Sequence, residues 1–280
     1  MQSTQRASRL RGLTLAAALL CPAFAQAAGA VVPLAAHRAA YDLSLADSPS
    51  TPLSPSAPVA ATGLIAYEFR GSACDGYTSS FRQLTQMERS EGEPYATGVS
   101  ATSFEGADGK SLRFRIEPLG GPSVPTVVGS ATRAADDDLR VELTKPAQKS
   151  LDFGREVLFP TQHIERLIEA ARDGRGFVQA RVYDGSETGA KIFSTMAMLG
   201  KPSAKPSVDA GIGGLKDVRR WPVVVSYFDE ASKESTPDYT LSFDLYENGV
   251  SGSLKLDYGQ FALNARLKTL ELLPATACAK

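Results

Sequence analysis

The chain has 280 residues at a formal charge of −1, with 43% hydrophobic and 22% charged residues. That is the balance of an ordinary folded chain and excludes a disordered, collagenous or membrane-embedded one. An isoelectric point near 6.2 leaves no surplus of Lys and Arg to neutralise phosphates, so no nucleic-acid partner is expected.

The first element is a leader. Arg6, Arg9 and Arg11 precede the apolar run Leu13 to Leu20, and Ala25-Gln26-Ala27 follows. Basic, apolar, then A-x-A is the order of a secretory signal peptide, here spanning 1–27 and cut near Ala27. The run falls short of the ~20 residues of a permanent membrane helix. Acylation of Cys21 would need a small residue before it, and Leu20 stands there instead. Cleavage removes three arginines and no acid, leaving a mildly acidic chain of about −4. No second apolar stretch of membrane-spanning length follows, so residues 28–280 are expected to form one β-rich domain, periplasmic or secreted, not spanning a membrane. Thiols are oxidised in that compartment.

Ala40 to Leu45 alternates apolar and polar residues, which puts Tyr41, Leu43 and Leu45 on one face of a strand. A second strand, Leu64 to Phe69, carries Ile65, Tyr67 and Phe69 in the same way. Between them Ser48 to Pro58 holds four prolines, which a sheet interior does not accept, and reads as an exposed loop. Further strands are expected at Leu112 to Ile116, Thr126 to Gly129, Leu139 to Leu143, Val178 to Tyr183 and Trp221 to Phe228. Tyr239 to Tyr246 and Ser253 to Tyr258 flank Asn248-Gly249, a pairing that favours a hairpin with a type I′ turn. Asp108-Gly109 and Asp184-Gly185 mark two more turns, and Tyr258-Gly259-Gln260 reverses the chain into a last strand, Phe261 to Leu273.

One amphipathic helix is expected at about 161–173. Thr161 is placed to cap it, Ile164, Leu167, Ile168 and Ala171 form one apolar stripe, and Gly174 stops it. Many strands with a single helix imply a mainly β fold: one antiparallel, strongly curled sheet or open barrel. Gly200 to Gly214 reads as a long loop.

The search for chemistry returns few candidates. Gly249 to Ser253 lacks the final Gly of a nucleophile elbow and lies in a hairpin. His37 and His163 are isolated, so no zinc site is expected. His163, in the first turn of the helix, fits a capping or surface role. Asp136-Asp137-Asp138 fits a solvated turn better than a calcium loop, and Glu165 and Glu169 fit a solvated helix face. Trp221 fits the core. Tyr41, Tyr67, Tyr77, Tyr239 and Tyr246 fit either core packing or the lining of an apolar cavity. No catalytic, metal or cofactor-binding residue is assigned.

After the leader only Cys74 and Cys278 remain. A structural disulfide between them is favoured over two free thiols or an intermolecular bridge, because neither lies in C-x-x-C or beside a histidine. It would hold a chain end that otherwise frays.

Five strings together carry a resemblance: His37-Arg38-Ala39-Ala40-Tyr41-Asp42-Leu43-Ser44-Leu45, Tyr67 to Tyr77, Phe159-Pro160-Thr161-Gln162-His163, Val182 to Ser186 and Tyr246 to Ser251. They are similar to the cell envelope integrity protein EipB family, from about His37 to Cys278. The resemblance implies a periplasmic alphaproteobacterial protein of β-spiral fold that maintains envelope integrity under envelope stress, without catalytic activity. It also implies a disulfide matching Cys74 and Cys278, and a link to periplasmic tetratricopeptide-repeat proteins. Ser48 to Pro58 is longer than the family pattern leads one to expect. The alternative reading is a carrier whose curled sheet shelters a lipid or lipoprotein acyl chain.

Overall fold

Nearly every strand pairs with its successor in sequence, and this local rule generates the architecture. In the computed structural model, residues 32–46, 57–120, 124–203, 208–209, 211–274 and 278 are described. The expected leader and residues 48–56 of the proline-rich loop lie outside them. The strands are β1 (His37–Leu45), β2 (Ala60–Ser72), β3 (Gly76–Glu88), β4 (Tyr95–Glu105), β5 (Ser111–Leu119), β6 (Val127–Arg133), β7 (Leu139–Lys145) and β8 (Lys149–Asp152). Then come β9 (Val157–Leu158), the helix α1 (Pro160–Arg172), β10 (Phe177–Val182), β11 (Phe193–Leu199), β12 (Arg220–Asp229), β13 (Tyr239–Tyr246), β14 (Ser251–Asp257) and β15 (Ala262–Leu272).

All fifteen strands belong to one sheet, ordered from β8 down to β1, then β15 down to β9. The first strand therefore pairs with the last, from His37 with Leu272 to Leu45 with Leu263, with one register shift between Ala40 and Tyr41. Only β8 and β9, neighbours in sequence, fail to pair, so the curled sheet is not closed there. The expected mainly β, open-barrel-like fold with one helix is what the structure has. One detail differs: β9 and β10 run parallel. The chain between them passes through α1, and a helical crossover returns a strand in its original direction.

Two local expectations are corrected. Phe159, not Thr161, is the N-cap of α1. Pro160 takes the first helical position, where its missing N–H costs nothing, and Gln162 Oε1 accepts from the Phe159 N–H at 3.0 Å. The hairpin between β13 and β14 is not type I′. Only Gly249 of its Asn-Gly pair has positive φ, at 84°. Its N–H donates to the Tyr246 carbonyl, and the Tyr246 N–H donates to Val250. This is a three-residue loop with a left-handed glycine in third place. At the other end of α1, Gly174 adopts φ 72°. The Gly174 and Arg175 N–H groups donate to the Ala171 and Ala170 carbonyls, a full Schellman stop.

The inner face is packed in three groups. Leu167, Ile168 and Ala171 of α1 lie on Val178, Ala197, Trp221, Val223 and Val225. Tyr41, Leu43, Ile65, Leu263 and Leu267 pack where the chain ends meet. Leu112, Phe114, Leu139 and Val141 from the first half meet Phe159, Tyr183 and Ile192 from the second. This third group joins the two halves across the gap in the sheet.

Candidate functional site

Where β4 ends, the alternation of its side chains turns a carboxylate inward. Glu105 stands in register between Tyr77 on β3 and Leu112 on β5, both apolar inner-face positions. It is 5% exposed. The N-terminus of α1 meets it: the Thr161 N–H donates to Oε1 and Oε2 at 2.9 and 3.2 Å, and the Thr161 hydroxyl donates to Oε1 at 2.8 Å. Thr161 thus does not cap its own helix; it ties that helix to β4. A carboxylate at the positive end of a helix is favourably placed, but burial outweighs this. Desolvation drives the Glu105 pKa up to about 7, with the Thr161 hydrogen bonds pulling against it and Glu165 adding to it. No cation of the described residues contributes.

Glu105 forms one wall of a chamber of about 80 Å³, together with His37, Tyr67, Phe69, Thr161 and Gly249. His37, from β1, is 3% exposed. Its Nδ1 lies 2.7 Å from the Ala35 carbonyl, which can only accept, so Nδ1 carries the proton and neutral His37 keeps a lone pair on Nε2. Burial holds its pKa below the ordinary histidine value. Its ring centroid lies 5.5 Å from that of Tyr67 and 6.0 Å from that of Phe69. Burial and the nearby Glu105 raise the Tyr67 phenol, which stays protonated. Gly249 completes the wall from the β13–β14 hairpin; a Cβ there would come within 2.6 Å of Leu34.

The other candidates separate. Cys74 and Cys278 are joined as a disulfide with Cα atoms 5.6 Å apart across 204 residues of sequence; Cys74 sits in the turn between β2 and β3, not in a strand. His163 is neither a cap nor a surface residue. It is 3% exposed, turned onto the sheet with Nε2 3.3 Å from the Thr195 hydroxyl, and burial lowers its pKa to about 4. Trp221 is fully buried in the core, as are Tyr41 and Tyr246. Tyr239 instead joins an aromatic row that runs from the buried Phe193 to the exposed Tyr258. It stacks on Tyr227 at 4.5 Å, Phe193 meets both rings edge-on at 5.8 and 6.0 Å, and Tyr258 followed by Phe261 lies on the other side. Asp136 to Asp138 lie in the β6–β7 turn, and no cluster able to hold a metal ion is found among the described residues.

Glu105 was not legible as a site residue because β4 itself was not. The segment Tyr95–Glu105 is mostly Ala, Thr, Ser and Gly, without apolar alternation. The available signal was its place just before the Asp108-Gly109 turn, which aligns Glu105 with Leu112.

Comparison with known proteins adds a family. The EipB-like family model matches residues 28–274. The chain is 34% identical over 264 residues to the cell envelope integrity protein EipB of Brucella abortus (strain 2308), covering 91% of this chain and 92% of that protein. It also resembles a crystal structure of a beta-barrel-like protein, a domain of unknown function from Brucella abortus. That likeness has a TM-score of 0.79 at 35% identity and covers 87% of this chain and all of that one.

Proposed function

Because the chain belongs to the EipB-like family, we propose that it maintains the integrity of a bacterial cell envelope as a non-enzymatic periplasmic factor, acting through contacts rather than turnover. The near full-length 34% identity to a cell envelope integrity protein carries this reading. The Cys74–Cys278 disulfide supports an oxidising compartment. No helix among the described residues is long and apolar enough to cross a membrane. The contacts include, on the family resemblance, a periplasmic tetratricopeptide-repeat protein. The test is a deletion strain challenged with detergent and cell-wall antibiotics. Resistance restored by the intact gene supports the reading, and failure to restore it overturns it.

A second reading, a carrier of a lipid or lipoprotein acyl chain, draws on the aromatic row from Phe193 to Phe261. The chamber beside Glu105 does not serve it, since about 80 Å³ is well below the ~300 Å³ at which pockets for drug-sized ligands begin. Native mass spectrometry of protein purified from the periplasm distinguishes the two: a retained lipid mass favours the carrier, and the bare chain mass favours the contact factor.

A further inference from the structure

The chamber beside Glu105 leaves a chemical question open. A buried carboxylate is expected to be paired with a cation or to lose its charge, and among the described residues Glu105 has only the Thr161 donors and no contributing cation. Its neighbours sharpen the question, because they too offer acceptors. His37 spends its only N–H on Ala35, leaving Nε2 as an acceptor, and no described residue hydrogen-bonds the Tyr67 hydroxyl. The Tyr67 and Phe69 rings line the same wall. A carboxylate, an imidazole lone pair and a phenol oxygen are three acceptors for one guest. An alkylammonium group brings three N–H donors and a positive charge, and aromatic faces attract it.

We propose that this chamber is a binding site for a primary alkylammonium group, held by Glu105, His37 Nε2 and the Tyr67 hydroxyl. Size argues for a primary amine. At about 80 Å³ the chamber is far below the ~300 Å³ of pockets for drug-sized ligands, which favours a small primary amine over a bulky quaternary head. The site goes beyond the envelope reading and does not depend on it. The group could come from a free small amine or from an ethanolamine lipid headgroup.

Binding has a pH signature. The titratable groups around Glu105 are Glu165 on α1, Tyr67 on β2 and Tyr77 on β3, with His37 on β1 sharing the chamber. The tyrosines stay protonated, and the lowered His37 stays neutral until acid pH. Loss of affinity just below pH 7 therefore reports protonation of Glu105.

The test is titration of the oxidised, leader-free chain with ethylammonium at pH 8, followed by NMR at His37 and the tyrosines. Ethanol serves as the neutral isostere, and vesicles of phosphatidylcholine with and without phosphatidylethanolamine form a second arm. Saturable ethylammonium binding is expected. It should weaken at least tenfold in Glu105→Gln, severalfold in Tyr67→Phe and several-fold between pH 8 and pH 6, while ethanol fails to compete. Added vesicle binding that requires phosphatidylethanolamine assigns the lipid source, and ethylammonium binding without it assigns the free amine. No saturable binding to the wild-type chain, or equal binding by folded Glu105→Gln, overturns the proposal.

Discussion

The curled sheet meets itself in two places, and it does so by different means. At the chain ends, β1 and β15 form an antiparallel backbone ladder along their whole length, with a single register shift at Ala40–Tyr41, and Cys278 beyond β15 is bonded to Cys74 in the β2–β3 turn. In mid-chain, between β8 and β9, no ladder forms and side chains replace it. Arg133 on β6 is the main one. It donates to the Val157 and Gly109 carbonyls and to Gln162 Oε1, and its guanidinium lies 5.1 Å from the Phe159 ring. Arg181 on β10 donates to the carbonyls of Phe153 and Arg155 at 3.0 and 2.7 Å while pairing with Glu230. Glu105 ties β4 to α1. One junction therefore answers to redox state, and the other answers to charge and pH.

Breaking the covalent junction has the largest expected effect. For a loop closed across 204 residues, the chain-entropy model gives roughly 5 kcal/mol, and measured disulfides typically contribute ~2–4. Replacing Cys74 and Cys278 together by serine should lower unfolding stability in urea by that lower range at every pH tested. An unchanged midpoint would show that the backbone ladder suffices.

Glu105 should give the next effect, and its sign is specific. Its folded pKa of about 7 lies above the ordinary carboxylate value of 4.5. Between these pH values the folded chain holds a proton that the unfolded chain has released. The stabilisation is complete below about 4.5 and is lost as pH rises through 7, on the order of 3 kcal/mol in total. His163 works oppositely: with its folded pKa at about 4 against 6.5 unfolded, stability falls as pH drops from 6.5 to 4. The informative quantity is thus the difference between wild type and Glu105→Gln across pH. Glu105→Gln should gain relative stability from pH 5 to pH 8, and a flat difference would mean Glu105 titrates normally.

Arg133→Ala comes third, at about 2 kcal/mol, because it leaves buried acceptors without a charged donor. Chemical denaturation measures it. Arg181→Ala should cost less, about 1 kcal/mol, since its pair with Glu230 is partly solvated. Equal losses at Arg133 and Arg181 would contradict the view that burial, not ion pairing, makes the mid-chain junction.

These two junctions were not equally readable in the sequence. Tyr41, Leu43 and Leu45 alternate with polar residues, so the strand at the chain start was plain, and two cysteines left one intramolecular pairing. The mid-chain junction has no such periodic signal. Arg133, Arg181 and Glu105 become partners only through sheet order, over sequence separations such as the 56 residues between Glu105 and Thr161. The strands β3, β4 and β11 escaped for a related reason. Their inner positions include Ser79, Thr85, Thr97 and Thr195, which a curled sheet tolerates and an apolar-alternation rule does not count. Asn248-Gly249 marked a hairpin correctly, but one glycine in a left-handed conformation fits a three-residue loop as well as a two-residue one. Thr161 was placed at the helix start, yet Pro160 had already begun the helix and freed its hydroxyl for Glu105.

Native-state hydrogen exchange of the oxidised chain, read by peptide mass spectrometry with and without Arg133→Ala, tests the contrast between the junctions most directly. The account predicts that β7, β9 and the first turn of α1 exchange through a partial opening that Arg133→Ala accelerates, while β1 and β15 exchange only with global unfolding. Exchange that begins in β1 and β15, or that Arg133→Ala accelerates uniformly along the chain, would contradict it.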